Sequence, residues 1–429
     1  MYEIDAKLAR LEEQGTPVRV GLVGTGQMGT EIVIQIGMMK GIEIDIAVDR
    51  SYDIVRRAFE GAGYQGELVE TNDIDVARAA VASGKKVIST DYNPAIMLES
   101  VQVVIDATGS PELGARIAYE SIAAKKHIVM MNVECDVTIG PILKQLADNA
   151  GVIYTLTAGD EPGSIIEVYR FARALGYKVV AAGKGKNNPL DIYATPAEWE
   201  QRALEREMSA KMLVEFVDGS KTMIEMAAVA NATGLGIDRR GMHGVRCNID
   251  ELAQKYRLKS QGGILDKEGV VDFAIGNINP GIFVVVTTDN KRMKEALVQR
   301  DMGNGPNYLL LRPYHLCSIE TPLTAAQAVI YHESTAHPLG RLTAECITIA
   351  KRDLKKGEVL DSIGEYCYRA SIETAQIARE GNMLPVGLAK GAVMKVDVKR
   401  DEVITYDMVE LNQSSMLLQL RRLQDNICG

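Results

Sequence analysis

The chain has 429 residues and carries 57 acidic against 48 basic side chains, a formal net charge of −9 at pH 7. No run of Lys or Arg stands out, which argues against nucleic acid as a partner because its binding needs clustered positive charge. No apolar stretch reaches the roughly 18–20 residues of a membrane span, and residues 1–15 do not resemble a secretory signal. The six cysteines form no CxxC pair, which predicts reduced thiols and a cytoplasmic location.

The first third of the chain alternates short apolar strands with helices. A helix is predicted over 3–14, and strands over 18–23, 42–48, 101–107, 127–131 and 151–156. Helices are predicted over 27–39, 111–124 and 138–150. This alternation indicates an α/β fold with a Rossmann-type parallel sheet, so we assign residues 1–157 to a dinucleotide-binding domain.

The remaining two thirds are expected to form two further domains. The central part, residues 158–341, is predicted to be an α+β catalytic and oligomerisation domain, with helices over 163–175 and 195–209 and strands over 177–182, 283–287 and 308–311. Residues 211–234 fit either a strand, turn and helix or two helices. From 342 to 429, β segments at 346–350, 393–396 and 402–406 and a helix at 415–427 indicate a small β-rich domain. No internal repeat is visible.

A glycine-rich turn follows the first strand. Gly24 permits a tight turn, Gly26 lets the backbone approach a pyrophosphate, and Gly29 allows close packing of helix on strand. Gln27 and Met28 open the following helix, whose N–H groups favour phosphate. An acid, Asp49, ends the next strand at the offset of about 20 residues that the dinucleotide pattern requires. The pattern predicts a nicotinamide dinucleotide site; the alternative is a structural glycine turn.

The identity of the dinucleotide stays open at this point. Asp49 favours NAD because a carboxylate binds the ribose diol and repels a 2′-phosphate, whereas the adjacent Arg50 favours NADP. The ends of the next strands are expected to border the nicotinamide half of the cofactor. The residues concerned are Ala107, Thr108, Gly109, Asn132 and Glu134.

Two polar segments are candidates for the chemistry. Asp160 and Glu161 open a predicted helix, where they either belong to the site or cap the helix. Lys184 and Lys186 lie in a predicted loop between glycines, directly after a strand. A lysine can stabilise charge on a substrate oxygen and move its proton. The alternative for these two lysines is an exposed basic turn.

Other polar residues were assigned to substrate binding. His243 lies in a glycine-rich loop and His315 follows Arg312, a plausible anion ligand. The alternative for each histidine is a role in the structure without contact with the substrate. The spacing of His, Cys and Asp indicates no metal site, although the carboxylates of Glu134, Asp160 and Glu161 are able to hold a divalent ion.

Eight segments together resemble the deoxyxylulose-phosphate reductoisomerase-like family, relatives of homoserine dehydrogenase that carry a C-terminal SAF-type domain. They are VRVGLVGTGQMG at 18–29, VMMNVECDVTIGP at 129–141, GDEP at 159–162, GKGKNNPL at 183–190, VEFVDGSKT at 214–222, ANATGL at 230–235, RPYHL at 312–316 and GEYCYR at 364–369. The resemblance implies a three-domain subunit of a homo-oligomer. It also implies NADPH-dependent conversion of 1-deoxy-D-xylulose 5-phosphate to 2-C-methyl-D-erythritol 4-phosphate, a step of isoprenoid biosynthesis.

The chain departs from that family at the acid after the second strand, where Asp49 suits NAD rather than NADPH. A catabolic NAD-dependent dehydrogenase of a sugar acid or polyol phosphate is therefore an alternative, as is a homoserine dehydrogenase-like enzyme. A second class of function is a sensor that binds dinucleotide without catalysis. For the enzyme, catalysis is assigned to Lys184, Lys186 and Glu161, and substrate binding to Asp160, Asn187, Asn188, His243, Arg312 and His315.

Overall fold

The computed structural model describes residues 3–428, which group into two compact units. The first unit comprises residues 3–163, 316–340 and 423–428, and the second comprises residues 164–315 and 341–422. Most of the segment predicted as a third domain thus groups with the central part of the chain. None of the helices within residues 3–428 is both long and apolar enough to cross a membrane.

The secondary structure alternates along most of the described chain. The strands are β1 Val18–Val23, β2 Ile42–Val48, β3 Leu68–Glu70, β4 Lys86–Ser89, β5 Val103–Asp106, β6 His127–Met130, β7 Tyr154–Leu156, β8 Lys178–Lys186, β9 Val245–Arg246, β10 Val270–Ile275, β11 Ile282–Thr287, β12 Asn307–Arg312, β13 Ala344–Ala350, β14 Tyr368–Thr374, β15 Val393–Met394 and β16 Val409–Glu410. The helices are α1 Ile4–Glu13, α2 Gln27–Met38, α3 Tyr52–Gly61, α4 Ile74–Ala82, α5 Asn93–Met97, α6 Pro111–Ala123, α7 Val133–Ala150, α8 Glu161–Ala174, α9 Pro196–Leu204, α10 Ala210–Val217, α11 Ser220–Thr233, α12 Leu252–Lys255, α13 Lys291–Val298, α14 Cys317–Tyr331, α15 Ala375–Glu380 and α16 Met416–Ile427.

The first unit is built on a seven-stranded parallel sheet with the order β3-β4-β2-β1-β5-β6-β7. Its strands are apolar on both faces because helices cover both, as parallel sheets require. The α/β fold predicted from the alternation is confirmed. The strand order reverses between β1 and β5, and ligands of such sheets bind beyond the strand ends at that reversal. Strands β3 and β4 were not predicted, because three or four residues are too few to show a period.

The second unit contains a mixed sheet with the order β12-β11-β8-β10-β9. The central strand β8 pairs parallel with β10 and antiparallel with β11. It runs to Lys186, so the strand predicted over 177–182 was too short. Its last residues, Gly183–Lys186, lack apolar side chains, but their backbones pair with β10 and β11 and so continue the strand.

Three helices follow β8 in the second unit. The helix predicted over 195–209 begins as expected, with a capping box at Thr195 and Glu198. It ends at Leu204 rather than at 209, because Ser209 caps a new helix. Residues 211–234 form the two-helix alternative, with α10 and α11 joined at Gly219 in the left-handed conformation. Only a glycine adopts that conformation without strain.

The C-terminal part of the second unit contains a short repeat that the sequence reading missed. Residues 353–358 and 397–402 each begin with Asp and end with Glu, and their turns lie against each other. Leu354 and Val398 exchange backbone hydrogen bonds of 2.8 and 3.0 Å. The ammonium group of Lys355 contacts Asp397, and that of Lys399 contacts Asp353, in matching ion pairs of 2.8 and 2.9 Å. The strand predicted over 402–406 consists instead of isolated bridges at Val403 and Thr405.

A buried acid lies in the core of the first unit. Asp136 in α7 is fully buried, and its Oδ1 accepts a hydrogen bond of 2.7 Å from the hydroxyl of Tyr154 in β7. Burial raises the pKa of Asp136 from its ordinary 3.8 to about 7, against the opposing effect of that hydrogen bond. The native state therefore holds a proton that the unfolded chain releases.

This proton predicts how stability depends on pH. Because the pKa is raised on folding, the stability that Asp136 contributes is lost as the pH rises from about 4 to about 7. Urea unfolding of the wild type and of Asp136→Asn at pH 5, 6, 7 and 8 measures the effect. We expect the free energy of unfolding to fall more steeply with pH in the wild type; parallel curves would contradict the assignment.

Candidate functional site

The glycine turn after β1 has two crowded glycines and one open one. A Cβ added at Gly24, whose φ is +96°, would lie 2.7 Å from the backbone oxygen of Ala107. A Cβ at Gly29 would lie 1.9 Å from the backbone oxygen of Gly24, so this glycine lets α2 pack directly on the turn. A Cβ at Gly26 would meet nothing within 4 Å. Gly24 and Gly29 are thus required by the fold, whereas Gly26 faces open space.

The N-terminus of α2 is suited to an anion. Its N-cap, Gly26, offers no side-chain hydrogen bond, and the first turn contains no acid. Gly26 and Gln27 are exposed, and Met28 is half-buried. By contrast, α3, α4, α6 and α7 of the same unit are capped by the side chains of Ser51, Asp73, Ser110 and Asn132. The N–H groups of α2 and its dipole therefore fit the pyrophosphate of a dinucleotide.

Asp49 is held at the same turn. Its Oδ2 accepts a hydrogen bond of 2.7 Å from the backbone N–H of Thr25, and its Oδ1 accepts one of 2.7 Å from the backbone N–H of Arg50. The carboxylate keeps lone pairs for a ribose diol. The Arg50 side chain is 95 % exposed, and its Nε lies 3.9 Å from Asp49. The acid is thus fixed in place, and the arginine extends into solvent beside it.

The ends of β5 and β6 form one hydrogen-bonded group. Asp106 accepts hydrogen bonds from the backbone and hydroxyl of Thr108 and from the Asn132 amide, at 2.9, 2.6 and 3.2 Å. Burial raises the pKa of Asp106 to about 6, although these hydrogen bonds oppose the rise. Ala107 and Gly109 continue the turn, half-buried and exposed. Thr108 and Asn132 therefore bind Asp106.

The helix after β6 starts earlier than predicted. α7 begins at Val133 rather than at 138, because the Asn132 side chain accepts a hydrogen bond of 3.2 Å from the N–H of Cys135 and caps the helix. Glu134 consequently lies in the first turn of α7, where an acid suits the helix dipole, and it is buried.

Asp160 and Glu161 are both buried at the start of α8, which begins at Glu161 rather than at 163. The Asp160 Oδ1 lies 3.8 Å from the Sγ of Cys317. The backbone N–H of Cys317 donates a hydrogen bond of 2.9 Å to Gly159, and Glu320 packs against the same glycine. Cys317 and Glu320 were not predicted, since 157 to 161 residues separate them from their contacts.

Strand β8 places the two predicted lysines on one face of the sheet. Lys184 and Lys186 are two residues apart in a strand, so their side chains point to the same side. Both are buried, which rules out the alternative of an exposed basic turn. On the opposite face, a Cβ at Gly183 would lie 1.8 Å from the backbone oxygen of Asp272, and one at Gly185 would lie 2.5 Å from Asn279.

The two lysines have different partners within the second unit. The Nζ of Lys184 lies 2.5 Å from Glu225 of α11, and the two side chains are 8 % and 1 % exposed. The Nζ of Lys186 donates a hydrogen bond to the backbone oxygen of Phe216 at the end of α10. Burial lowers the pKa of Lys186 to about 8, and the charge of Lys184 adds to this effect. Lys186 can therefore exchange a proton near neutral pH.

Within residues 3–428, no carboxylate forms an ion pair with Lys186. Lys184 is paired with Glu225, so Lys186 contributes a positive charge that a bound anion is able to balance. Glu225 was missed by the sequence reading. An acid inside the otherwise apolar run of α11 was the available signal, because such an acid requires a buried partner.

The two asparagines directly follow β8. Asn188 is buried, and its amide donates a hydrogen bond of 2.9 Å to the side chain of Asn187, which is exposed. The Oδ1 of Asn188 accepts a hydrogen bond of 2.7 Å from Arg206, a cation that the sequence reading did not select.

The other predicted substrate ligands are tied to local partners. The Nε2 of His243 lies 2.7 Å from Asp238, which also accepts hydrogen bonds from the backbones of Asp266 and Lys267. Arg312 donates a hydrogen bond of 3.1 Å to the hydroxyl of Ser164 and forms an ion pair with Glu167. His315 lies between β12 and α14. Substrate contacts of these residues stay predictions.

Comparisons with known proteins identify the catalytic domain. Residues 159–321 match the family model described as "Oxidoreductase DRL, catalytic domain". The chain therefore carries an oxidoreductase catalytic domain, and this segment includes Lys184, Lys186 and Glu225. A comparison with curated proteins found no match.

Several solved dehydrogenases align with part of the chain. A probable dehydrogenase from Thermotoga maritima aligns with 13 % identity and a TM-score of 0.40, over 74 % of this chain and 90 % of that one. Myo-inositol 2-dehydrogenase from Lactobacillus plantarum aligns with 11 % identity and a TM-score of 0.40, over 74 % and 91 %. Scyllo-inositol dehydrogenase from Lactobacillus casei, with bound NAD(H) and scyllo-inositol, aligns with 9 % identity and a TM-score of 0.38, over 74 % and 90 %.

The contrast between the glycines predicts separate effects on folding and on binding. Gly29→Ala should destabilise the protein by about 3 kcal/mol, because its Cβ overlaps a backbone oxygen. Gly26→Ala should melt within about 2 °C of the wild type and bind NAD or NADP about tenfold more weakly, since its methyl group enters the space facing the phosphates. Calorimetry of unfolding and of cofactor binding measures both; equal binding by Gly26→Ala would place the pyrophosphate elsewhere.

The adjacent acid and base predict opposite effects on cofactor choice. Asp49→Asn keeps an acceptor for Thr25 but removes the charge that repels a 2′-phosphate. The ratio of kcat/KM with NAD to that with NADP should fall about tenfold in Asp49→Asn. The same ratio should rise in Arg50→Ala. If both variants move the ratio in the same direction, these residues do not select the cofactor.

Proposed function

We propose that the chain is an NAD- or NADP-dependent oxidoreductase that acts on a small phosphorylated sugar or polyhydroxy acid. The observation that carries this proposal is the pair of buried lysines on one face of β8, within an oxidoreductase catalytic domain. The dinucleotide would be held by Gly24, Gly26, Gly29 and Asp49 in the first unit. When bound, its nicotinamide supplies or accepts a hydride.

Lys184 and Lys186 of the second unit have different roles in the proposed reaction. Lys186 carries the proton to or from the reacting oxygen of the substrate, because its lowered pKa matches proton exchange near pH 8. Lys184 supplies a fixed positive charge that stabilises negative charge on that oxygen, and Glu225 holds its ammonium group in place. Their burial excludes water and strengthens these interactions.

The charge of Lys186 favours an anionic substrate. Lys186 has no carboxylate partner within the described chain, and Arg206 binds Asn188, two residues further along the chain. A phosphate or carboxylate on the substrate would balance this charge. The leading specific reaction is reductoisomerisation of 1-deoxy-D-xylulose 5-phosphate to 2-C-methyl-D-erythritol 4-phosphate, because the lysines and the Asn187–Asn188 pair suit an enediolate and a phosphate.

The alternative enzyme is an NAD-dependent dehydrogenase of a sugar acid or polyol phosphate. It is favoured by Asp49, whose carboxylate is fixed at the glycine turn, where it suits a ribose diol better than a 2′-phosphate. A sensor without catalysis is disfavoured, because binding alone does not require a buried lysine with a lowered pKa. We also propose, from the family resemblance, that the active form is a homo-oligomer.

An absorbance assay at 340 nm tests the proposal with two arms. One arm combines NADPH or NADH with 1-deoxy-D-xylulose 5-phosphate, and the other combines NAD or NADP with sugar acids, polyol phosphates and homoserine. Oxidation of NADPH in the first arm supports the reductoisomerase. Reduction of NAD in the second supports the dehydrogenase. Binding of dinucleotide without turnover in either arm would favour the sensor.

The role of Lys186 predicts a matched set of variants. Lys186→Met should lower kcat by about 10²–10⁴-fold, the range of general acid–base catalysis, and leave the dissociation constant of the cofactor within about threefold. Lys184→Met should also lower kcat, because it removes the fixed charge. Lys178→Met is the control, since Lys178 lies on the same strand but is 64 % exposed. Full turnover by Lys186→Met would refute the assignment.

The pKa of Lys186 also predicts the pH profile of kcat/KM. Oxidation of an alcohol needs the neutral amine, so its rate should rise with pH through about 8. Reduction of a carbonyl needs the ammonium form, so its rate should fall through the same value. A profile without a transition near pH 8 in either direction would argue against Lys186.

A further inference from the structure

The junction between α10 and α11 supports the acceptor of Lys186. Phe216, whose backbone oxygen accepts the hydrogen bond from Lys186, lies in the last turn of α10. Asp218 ends this helix, and its backbone N–H donates a hydrogen bond of 2.8 Å to Val214. The position of the Lys186 ammonium group therefore depends on the position of this junction.

The junction is held by a residue far along the chain. The Nζ of Lys351, directly after β13, lies 2.6 Å from the Oδ2 of Asp218, and the two side chains are 2 % and 0 % exposed. Lys351 also donates hydrogen bonds of 2.9 Å to the backbone oxygens of Ala194 and Glu365. Lys351 thus makes one buried ion pair and two hydrogen bonds, which fix its ammonium group at the junction.

The other oxygen of Asp218 completes the junction. Oδ1 accepts a hydrogen bond of 2.8 Å from the backbone N–H of Ser220, the first residue of α11. The hydroxyl oxygen of Ser220 accepts a hydrogen bond of 2.9 Å from Ala370 in β14. The antiparallel pair β13–β14 therefore contacts both sides of the α10–α11 junction.

We propose that Lys351 and Asp218 form a positioning pair that holds the α10–α11 junction and thereby places the ammonium group of Lys186. The proposal rests on the proposed role of Lys186 as the proton carrier. It assigns the C-terminal segment a part in the site without direct contact with substrate. Neither Lys351 nor Asp218 touches the reacting atoms.

The charges around Lys186 determine the expected effect of breaking the pair. Burial and the like charge of Lys184 in β8 lower the pKa of Lys186, and Glu225 of α11 and Asp218 of the junction raise it. Loss of the Asp218 charge removes one of the two negative charges that favour the ammonium form. Burial already raises the pKa of Asp218, and Lys351 opposes the rise, so replacement of Lys351 by Gln raises this pKa further and weakens the negative charge beside Lys186. Both changes therefore lower the pKa of Lys186.

The experiment measures the Lys186 amine directly in the full-length protein, without substrate. Trace acetylation by acetic anhydride at pH 6–10, followed by mass spectrometry of the peptide that contains Lys186, reports the midpoint of its titration. In Asp218→Asn the midpoint should fall by roughly one pH unit, the scale of a lost neighbouring charge. Lys351→Gln should lower it as well. The double variant should show no larger shift than Asp218→Asn, because the two residues act as one unit.

Glu345→Gln is the matched control. Glu345 lies on β13 and forms a buried ion pair of 2.6 Å with Arg421, so its loss disturbs the same segment without involving the junction. The proposal is supported if Asp218→Asn and Lys351→Gln shift the midpoint and Glu345→Gln does not. It is overturned if neither shifts it, or if Glu345→Gln shifts it equally, which indicates general loosening.

Turnover gives a second readout once a substrate is known. Asp218→Asn and Lys351→Gln should lower kcat about tenfold, with KM within about threefold, and shift the pH profile of kcat/KM in step with the titration of Lys186. Absence of turnover in the wild type would refute the proposed function. The titration of Lys186 would still decide the positioning pair, so the two failures are distinguishable.

Discussion

Burial of two ammonium groups on one face of β8 is the constraint around which the second unit is organised. Removing a charge from water costs several kcal/mol unless partners replace the lost hydration. Glu225 replaces it for Lys184, and the carbonyl of Phe216 replaces part of it for Lys186. The glycines on the other face of β8 let β10 and the loop at Asn279 approach closely, which keeps the strand at the centre of the sheet. This burial costs stability, and it lowers the pKa of Lys186 to about 8, so that this lysine exchanges its proton near neutral pH.

The first unit differs from the second, because the N–H groups at the start of α2 are not capped by a side chain and are open to a ligand. Four of its helices, α3, α4, α6 and α7, begin with a side-chain cap, whereas α2 begins beside an open glycine without one. Asp49 is fixed by the same turn that exposes these N–H groups. The residues proposed to bind the phosphates and the ribose therefore lie close together at one turn.

The C-terminal segment of the second unit contributes to the proposed site by contacting the α10–α11 junction, without taking part in the reaction itself. Its paired turns at 353–358 and 397–402 bind each other through matching ion pairs, so the segment has internal order of its own. Lys351 lies two residues before the first of these turns, and its buried side chain forms an ion pair with Asp218. A residue more than a hundred positions from Lys186 in sequence thereby acts on the backbone that Lys186 binds.

The sequence alone determined the parallel α/β sheet, the glycine turn with Asp49, and the choice of Lys184 and Lys186 as residues of interest. Each of these depends on local patterns: the period of apolar residues, the conformational freedom of glycine, and the spacing of a short motif. The same patterns placed the lysines in a loop, because a strand of glycine and lysine shows no apolar period.

Only the tertiary structure showed that these lysines are buried and on one face, since their burial depends on pairing with β10 and β11. The partners Glu225, Phe216, Asp218 and Lys351 come from helices and strands that are distant in sequence, and no local pattern connects them. The small repeat near the C-terminus is only partly visible in the sequence, because its two turns share Asp, Lys and Glu within six residues. The ion pairs and hydrogen bonds that join the turns are seen only in the structure. Long-range pairing decides which charges are hidden from water, and that in turn decides which of them can do chemistry.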